Sequence, residues 1–154
     1  YPLRRQRQMC IRDSCMAEGL QNDGVLYTID INKELVPFAQ KYFNKSSYKN
    51  IIKMMVGNAL EIIPELNFKW DLVFIDADKE NYSNYFDSVI EKVNKGGMII
   101  ADNVLWSGKV TRPTFRNDIE TKALKTFNEK VNSDSRVSNV LMPVRDGMMI
   151  MIKK

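Results

Sequence analysis

Apolar residues in this chain fall into short unbroken runs that alternate with stretches of helical spacing. Leu72-Val73-Phe74-Ile75 and Met98-Ile99-Ile100-Ala101 are runs of four with no polar alternation, which predicts strands buried on both faces of a parallel sheet. Residues 25–30 and 51–56 predict two further strands. Between the strands the period changes. Leu35, Phe38, Ala39, Tyr42 and Phe43 predict a helix over 34–43, with Pro37 in the first turn, where a missing N–H costs least. Residues 60–66 predict a short helix that Pro64 kinks or ends. Tyr82, Tyr85, Phe86, Val89, Ile90 and Val93 give the strongest helical period, at i, i+3, i+4, i+7, i+8 and i+11. Lys95-Gly96-Gly97 then turns the chain into the next strand.

Towards the end, Phe115, Ile119, Ala123, Phe127 and Val131 predict another amphipathic helix with Thr114 as its N-cap. Residues 137–144 and 148–152 flank Arg145-Asp146-Gly147, a hairpin signal in which the methionines pack. At the other end, residues 15–20 read as the close of a helix near Gly19. The sum is an α/β fold: a doubly wound, mostly parallel sheet closed by a C-terminal antiparallel hairpin.

Three predicted strands end in an acid: Asp30, Asp76 and Asp102. Asp76 and Asp102 lie about 26 residues apart, the length of one βαβ crossover, so both should emerge on the same sheet edge. In open α/β sheets that edge binds ligands.

Composition narrows the chemistry available there. The chain has 154 residues and no histidine, which excludes His bases, His triads and His-ligated zinc. Acid–base work must fall to Lys, Asp, Glu or Tyr, and any metal must accept oxygen ligands. The net charge of +4 is concentrated in residues 1–14, where Arg4, Arg5, Arg7 and Arg12 face Asp13 alone. The remainder is nearly neutral and has no basic stripe with interleaved aromatics. Residues 1–14 also lack a helix or strand period and resemble translated sequencing-adapter sequence, so they read as a non-native head or a disordered basic arm, with the domain over 15–154. Two cysteines, Cys10 and Cys15, form no metal or disulfide pattern, which points to a reducing cytoplasm. No apolar run approaches the ~20 residues of a membrane span.

Each candidate residue has a functional and a plainer reading. Asp30 sits where nucleotide-binding folds place a carboxylate for ribose hydroxyls, or is an acid in a polar turn before a helix. Gly57-Asn58-Ala59 has side chains small enough to admit an adenine, or is a plain turn. Asp76, Asp102 and Asn103 supply two carboxylates and an amide oxygen, a hard-oxygen set suited to Mg²⁺; solvated acids at strand ends are the alternative. A dication at Asp76 would lower the pKa of Lys79 towards general-base range, whereas a surface lysine paired with Asp78 and Glu80 is the other reading. Trp106 is a pocket wall for a flat ring or core packing. Tyr82 and Tyr85 read mainly as core.

Taken together these residues resemble the metal-dependent class I O-methyltransferases that use S-adenosylmethionine, the catechol and caffeoyl-CoA O-methyltransferase group in its small bacterial branch. The resemblance runs over 15–154. It rests on Met16-Ala17-Glu18-Gly19, Tyr27-Thr28-Ile29-Asp30, Val73-Phe74-Ile75-Asp76-Ala77-Asp78-Lys79-Glu80-Asn81-Tyr82, Gly96-Gly97 and Ala101-Asp102-Asn103-Val104-Leu105-Trp106-Ser107-Gly108. It implies that Asp76, Asp102 and Asn103 hold Mg²⁺, or Mn²⁺ or Ca²⁺. Asp30, Asn58, Ala59 and Asp76 would border the cofactor, with Asp78 and Trp106 against the acceptor and Lys79 removing the acceptor's proton. It further implies a hydroxylated aromatic small-molecule acceptor, a homodimeric full-length parent and no membrane.

One departure from that family pattern stands out. Where the family carries a first strand and a Gly-rich cofactor loop, this chain has its Arg/Gln-rich head, so the first strand is expected to be missing. A truncated, inactive fragment retaining metal binding or an oligomerisation surface is therefore an alternative reading. O-methylation of a hydroxylated RNA nucleoside is another. A haloacid-dehalogenase-type phosphatase also starts from strand-Asp-x-Asp with Mg²⁺, but has Thr or Val where this chain has Glu80.

Overall fold

The fold is α/β, with βα alternation passing into an antiparallel hairpin. The computed structural model describes residues 11–154, so the expectation for residues 1–10 lies outside the described part. Two compact units divide at Ile62 and Ile63. The first opens with helix α1 at residues 11–18. Residues 11–14, read from sequence as the end of an unstructured head, form its first turn. Strands β1 (Leu26–Asp30) and β2 (Ile52–Val56) pair in parallel, Leu26 opposite Ile52 and Asp30 opposite Val56. Between them lies α2 (Val36–Phe43), entered through a 3-10 turn at Lys33–Leu35 with Pro37 in its first turn. Ala17, Ala39, Phe43 and Ile52 form the buried core, with Leu26, Phe38, Tyr48, Ile51 and Met54 packed against it. The division falls within the short helix α3 (Ala59–Glu65), which stops one residue after Pro64.

The second unit is a four-stranded sheet in the order β3-β4-β6-β5. Strand β3 (Trp70–Ile75) runs through α4 (Tyr82–Ile90) into the parallel strand β4 (Val93–Asp102). After a loop and α5 (Ile119–Ser133), β5 (Val137–Met142) and β6 (Met148–Lys153) form the antiparallel hairpin, β6 also pairing antiparallel with β4. The face of α4 predicted from periodicity is the buried one: Tyr82, Tyr85, Phe86, Val89 and Ile90. Phe127 of α5 meets it, its ring edge-on to Tyr82 at 5.4 Å and to Phe86 at 6.4 Å. Met149 and Met151 are buried, as hairpin packing requires.

Several boundaries differ from the sequence expectation, each for a physical reason. Val93, the last residue of the predicted helical period, opens β4 opposite Trp70. The Gly96-Gly97 pair lies inside that strand rather than in a turn before it. Between the pairs Trp70–Val93 and Leu72–Met98 the register shifts. A Cβ on Gly97 would stand 2.7 Å from Val93 Cγ1 and 3.1 Å from the Asp71 carbonyl, so only glycine lets the bulged strand pass its neighbour. Leu72, expected to be buried in a strand covered on both faces, is 49 % exposed and lies in β3, an end strand of its four-stranded sheet. Helix α5 begins later than expected. Its N-cap is Asp118, which accepts from the Thr121 N–H, and not Thr114, which leaves Phe115 exposed ahead of the helix. Lys92 donates to the carbonyls of Ile63, Pro64 and Leu66, satisfying acceptors that the end of α3 leaves over.

Candidate active site

Parallel pairing of Ile75 with Ala101 sets the ends of β3 and β4 side by side. Asp76 follows Ile75, and Asp102 closes β4 with Asn103 behind it, so the chain delivers all three oxygen-bearing residues to one sheet edge. Asn103 adopts a left-handed conformation, φ 59°, which Asn tolerates better than most residues. Its backbone N–H donates to its neighbour's carboxylate, Asp102 Oδ1, at 2.7 Å.

Lys79 reaches back from the 3-10 turn Lys79–Asn81 into this edge. Its Nζ donates to Asn103 Oδ1 at 3.1 Å and to Tyr82 Oη at 2.5 Å, and lies 3.6 Å from Asp76 Oδ1. The residue is 6 % exposed, which removes the surface-lysine reading. Burial pulls its pKa down from the ordinary lysine value, partly offset by the carboxylates of Asp76, Asp102 and Asp146. Tyr82 goes the other way. Burial, then the charges of Asp76, Asp102 and Asp78, push its phenol far above the ordinary range, so it stays protonated.

Trp106 joins this group, its ring centred 5.7 Å from Lys79 Nζ. Its indole N–H is buried without a hydrogen-bond partner. The loop that carries it has three more left-handed residues, Trp106, Ser107 and Gly108 at φ 50°, 53° and 75°. The β5–β6 hairpin holds that loop. Val104 N–H donates to the Gly147 carbonyl and Leu105 N–H to the Asp146 carbonyl, while the Asp146 carboxylate accepts from the Ser107 N–H.

Asp78, expected against the acceptor, has both carboxylate oxygens engaged within its own segment. Its carboxylate takes Tyr85 Oη on one oxygen and Asn81 Nδ2 on the other, each at 2.5 Å, and so braces the entry to α4. The residues expected at the cofactor belong to the first unit. Asp30 Oδ1 accepts from the Asn32 N–H at 2.8 Å, an Asx turn leading into the 3-10 turn. The Gly57 N–H donates to the Asp30 carbonyl, so Asn58 and Ala59 follow directly on that strand end. Asn58 caps α3, accepting from the Leu60 N–H at 3.0 Å. Two contributors escaped the sequence reading. Tyr82 shows only apolar spacing in the sequence, and Asp146 reads as part of the Asp-Gly hairpin signal.

Among the described residues no three Asp, Glu, Cys or His side chains are grouped to hold a metal ion. The candidate set here is two carboxylates and an amide oxygen. Two of those oxygens, on Asp76 and Asn103, already turn towards one point, the Lys79 amine. Convergent hard oxygens are the donor chemistry that a divalent ion uses, so these residues fit such an ion.

Residues 13–154 match the O-methyltransferase family model. The chain is 31 % identical over 142 residues to caffeoyl-CoA O-methyltransferase of Stellaria longipes, covering 86 % of this chain and 59 % of that protein. It is 32 % identical to caffeoyl-CoA O-methyltransferase 1 of Eucalyptus globulus, over 86 % of this chain and 58 % of that one. Among solved structures it resembles the O-methyltransferase TomG of Streptomyces achromogenes in complex with SAM, with TM-score 0.84 and 25 % identity, covering 92 % of this chain and 67 % of that one. The Bacillus cereus O-methyltransferase in complex with SAH gives TM-score 0.83 and 25 % identity, over 91 % and 68 % of the two chains. The second unit gathers Asp76, Lys79, Asp102 and Asn103 at one sheet edge of an α/β fold. The chain belongs to the O-methyltransferase family. It spans about three fifths of the length of the two plant relatives.

Proposed function

We propose that this chain takes part in S-adenosylmethionine-dependent, divalent-metal-assisted methyl transfer to a hydroxyl of a catechol-like or other hydroxylated aromatic acceptor. The observation that carries the reading is the buried Lys79 amine set against Asp76, Asn103 and Tyr82 at the adjoining ends of β3 and β4.

In this reading Asp76, Asp102 and Asn103 hold the divalent ion. When bound, such an ion lowers the pKa of an acceptor hydroxyl and orients it. Lys79, whose burial favours the neutral amine, takes the hydroxyl proton at Nζ. With the donor bound, the acceptor oxygen would bond to its methyl carbon as the carbon–sulfur bond breaks, that electron pair leaving with S-adenosylhomocysteine. The ammonium formed on Lys79 is stabilised by Asp76 and the Asn103 amide oxygen. The Trp106 ring walls the acceptor side and keeps water from the amine. In the first unit, Asp30 would accept ribose hydroxyls while Asn58 and Ala59 border the adenine. Charge is cancelled as oxyanion and sulfonium meet, so a dry wall favours the step.

The test is methyl transfer from S-adenosylmethionine to a simple catechol, measured with and without Mg²⁺. Metal-dependent methyl ether is expected; its absence in both conditions overturns the proposal. Lys79→Ala should lower kcat by about 10²–10⁴-fold, the range of general-base contributions, with Mg²⁺ affinity intact. Unchanged turnover would remove the base role.

A further inference from the structure

Tyr82 is fully buried, and its hydroxyl is where three parts of the second unit meet. It accepts from Lys79 Nζ at 2.5 Å, donates to the main-chain carbonyl of Asp102 at 2.8 Å, and lies 3.4 Å from the carbonyl of Ile75. Ile75 and Asp102 are the last residues of β3 and β4, and Asp76 and Asn103 come next in the chain. One phenolic oxygen therefore ties together both strand ends and the amine between them. Packing alone does not ask for that oxygen. The ring is held edge-on by Phe127 at 5.4 Å, and a phenylalanine would fill the same place without burying a polar group.

We propose that Tyr82 is the positioning residue of this site, its hydroxyl fixing the Lys79 amine and the Asp102 carbonyl so that base and strand ends keep one geometry. The inference rests on the reading of Lys79 given above. Lys79 and Tyr82 are three residues apart at the entry to α4 and share one face. The lysine's other neighbours are Asn103 Oδ1, Asp76 Oδ1 and the face of Trp106. Of these, Asp76 offers a full charge at 3.6 Å. Without the hydroxyl the Lys79 Nζ is free to close that distance, swinging towards Asp76 and away from the acceptor. Tyr82 acts through Lys79 and touches no reacting atom.

Tyr82→Phe keeps the ring and removes the oxygen. With the chain assayed as in the preceding section, kcat should fall on the order of 10²-fold, as displacements near 1 Å cost, while KM for donor and acceptor stays within about twofold. An arm that uses no substrate follows acetylation of Lys79 by limiting acetic anhydride, read by peptide mass spectrometry. The anchored amine in the wild type should label slowly, and in Tyr82→Phe several-fold faster. An unchanged labelling rate overturns the proposal, whatever happens to kcat. Faster labelling in a chain that transfers no methyl group supports the anchoring and counts against the function proposed above. If Tyr82→Phe does not fold, NMR of the wild type decides. A slowly exchanging Tyr82 hydroxyl proton with a nuclear Overhauser contact to the Lys79 ε-methylene supports the anchoring, and its absence at low temperature overturns it.

Discussion

A buried amine and a buried carboxylate pull stability in opposite directions as pH changes, and this chain holds one of each in separate units. Lys79 is compensated by three carboxylates, an amide oxygen and a phenol. Asp13 is not. It is 7 % exposed in α1, and its Oδ2 has no hydrogen-bond partner. Burial raises its pKa to about 6 from 3.8, against the lowering effects of a Thr28 hydrogen bond and the Arg12 charge. The folded state therefore holds a proton that the unfolded chain has lost between about pH 4 and 6. Stability contributed by the neutral acid is present below pH 4, declines through pH 6 and is gone above it. Asp13→Asn should remove this decline and raise stability at pH 7 by about 1–3 kcal/mol, measured by urea unfolding at pH 4 and pH 7. An equal effect of the substitution at both pH values would show that the carboxylate is not the cause. At this scale residue types were legible and environments were not. The acids and the lysine stood out beside apolar runs, whereas the burial of Asp13 with one carboxylate oxygen unpartnered and the double hydrogen bond of Tyr82 depend on atoms far away in sequence.

Elements inherit these constraints through their connections. The hairpin of β5 and β6 is more than a closing piece of sheet, since its turn grips the loop that carries Asn103 and Trp106. Gly147 has φ 80°, and a Cβ there would meet Leu105 Cγ at 2.5 Å. Gly147→Ala should cost about 1–3 kcal/mol from the left-handed backbone and the clash. It should also displace the Leu105–Trp106 segment, which tryptophan fluorescence would report as a red shift of the emission. A melting temperature and spectrum matching the wild type would show that the hairpin does not set the loop. Helical faces were readable because period 3.6 survives in the sequence, as the five buried residues of α4 show. Ends were less so. Val93 continues the helical spacing by coincidence and is taken by the pairing with Trp70, and the glycine pair reads as a turn when the bulge in β4 is its real use. Thr114 and Asp118 are both acceptable caps; the Asp118 side chain is the one that reaches the Thr121 N–H.

On the scale of the whole chain, the two units differ in how much they bury. Among its described residues, the first rests on a two-stranded sheet and a buried core of Ala17, Ala39, Phe43 and Ile52. The second rests on four strands, with Tyr82, Phe86, Ile90, Ile99, Leu124, Phe127 and Met151 fully buried. Two strands alone are marginal, and opening free energy follows buried contacts. Amide hydrogen exchange should therefore be faster in β1 and β2 than in β4 and α4, on the order of 10-fold or more; uniform protection would contradict this. Alternation of apolar runs with helical periods was enough to determine an α/β fold with a closing hairpin. Three residue types at two strand ends were enough to single out Asp76, Lys79, Asp102 and Asn103 as candidates. Both are local properties of spacing and chemistry, which a linear chain records. The tertiary structure alone decided that Lys79 is buried, that Asp78 turns to Tyr85 and Asn81, that Leu72 lies on an edge strand, and that one phenol joins the ends of β3 and β4. Those depend on which distant segments pack together, and no local period encodes them.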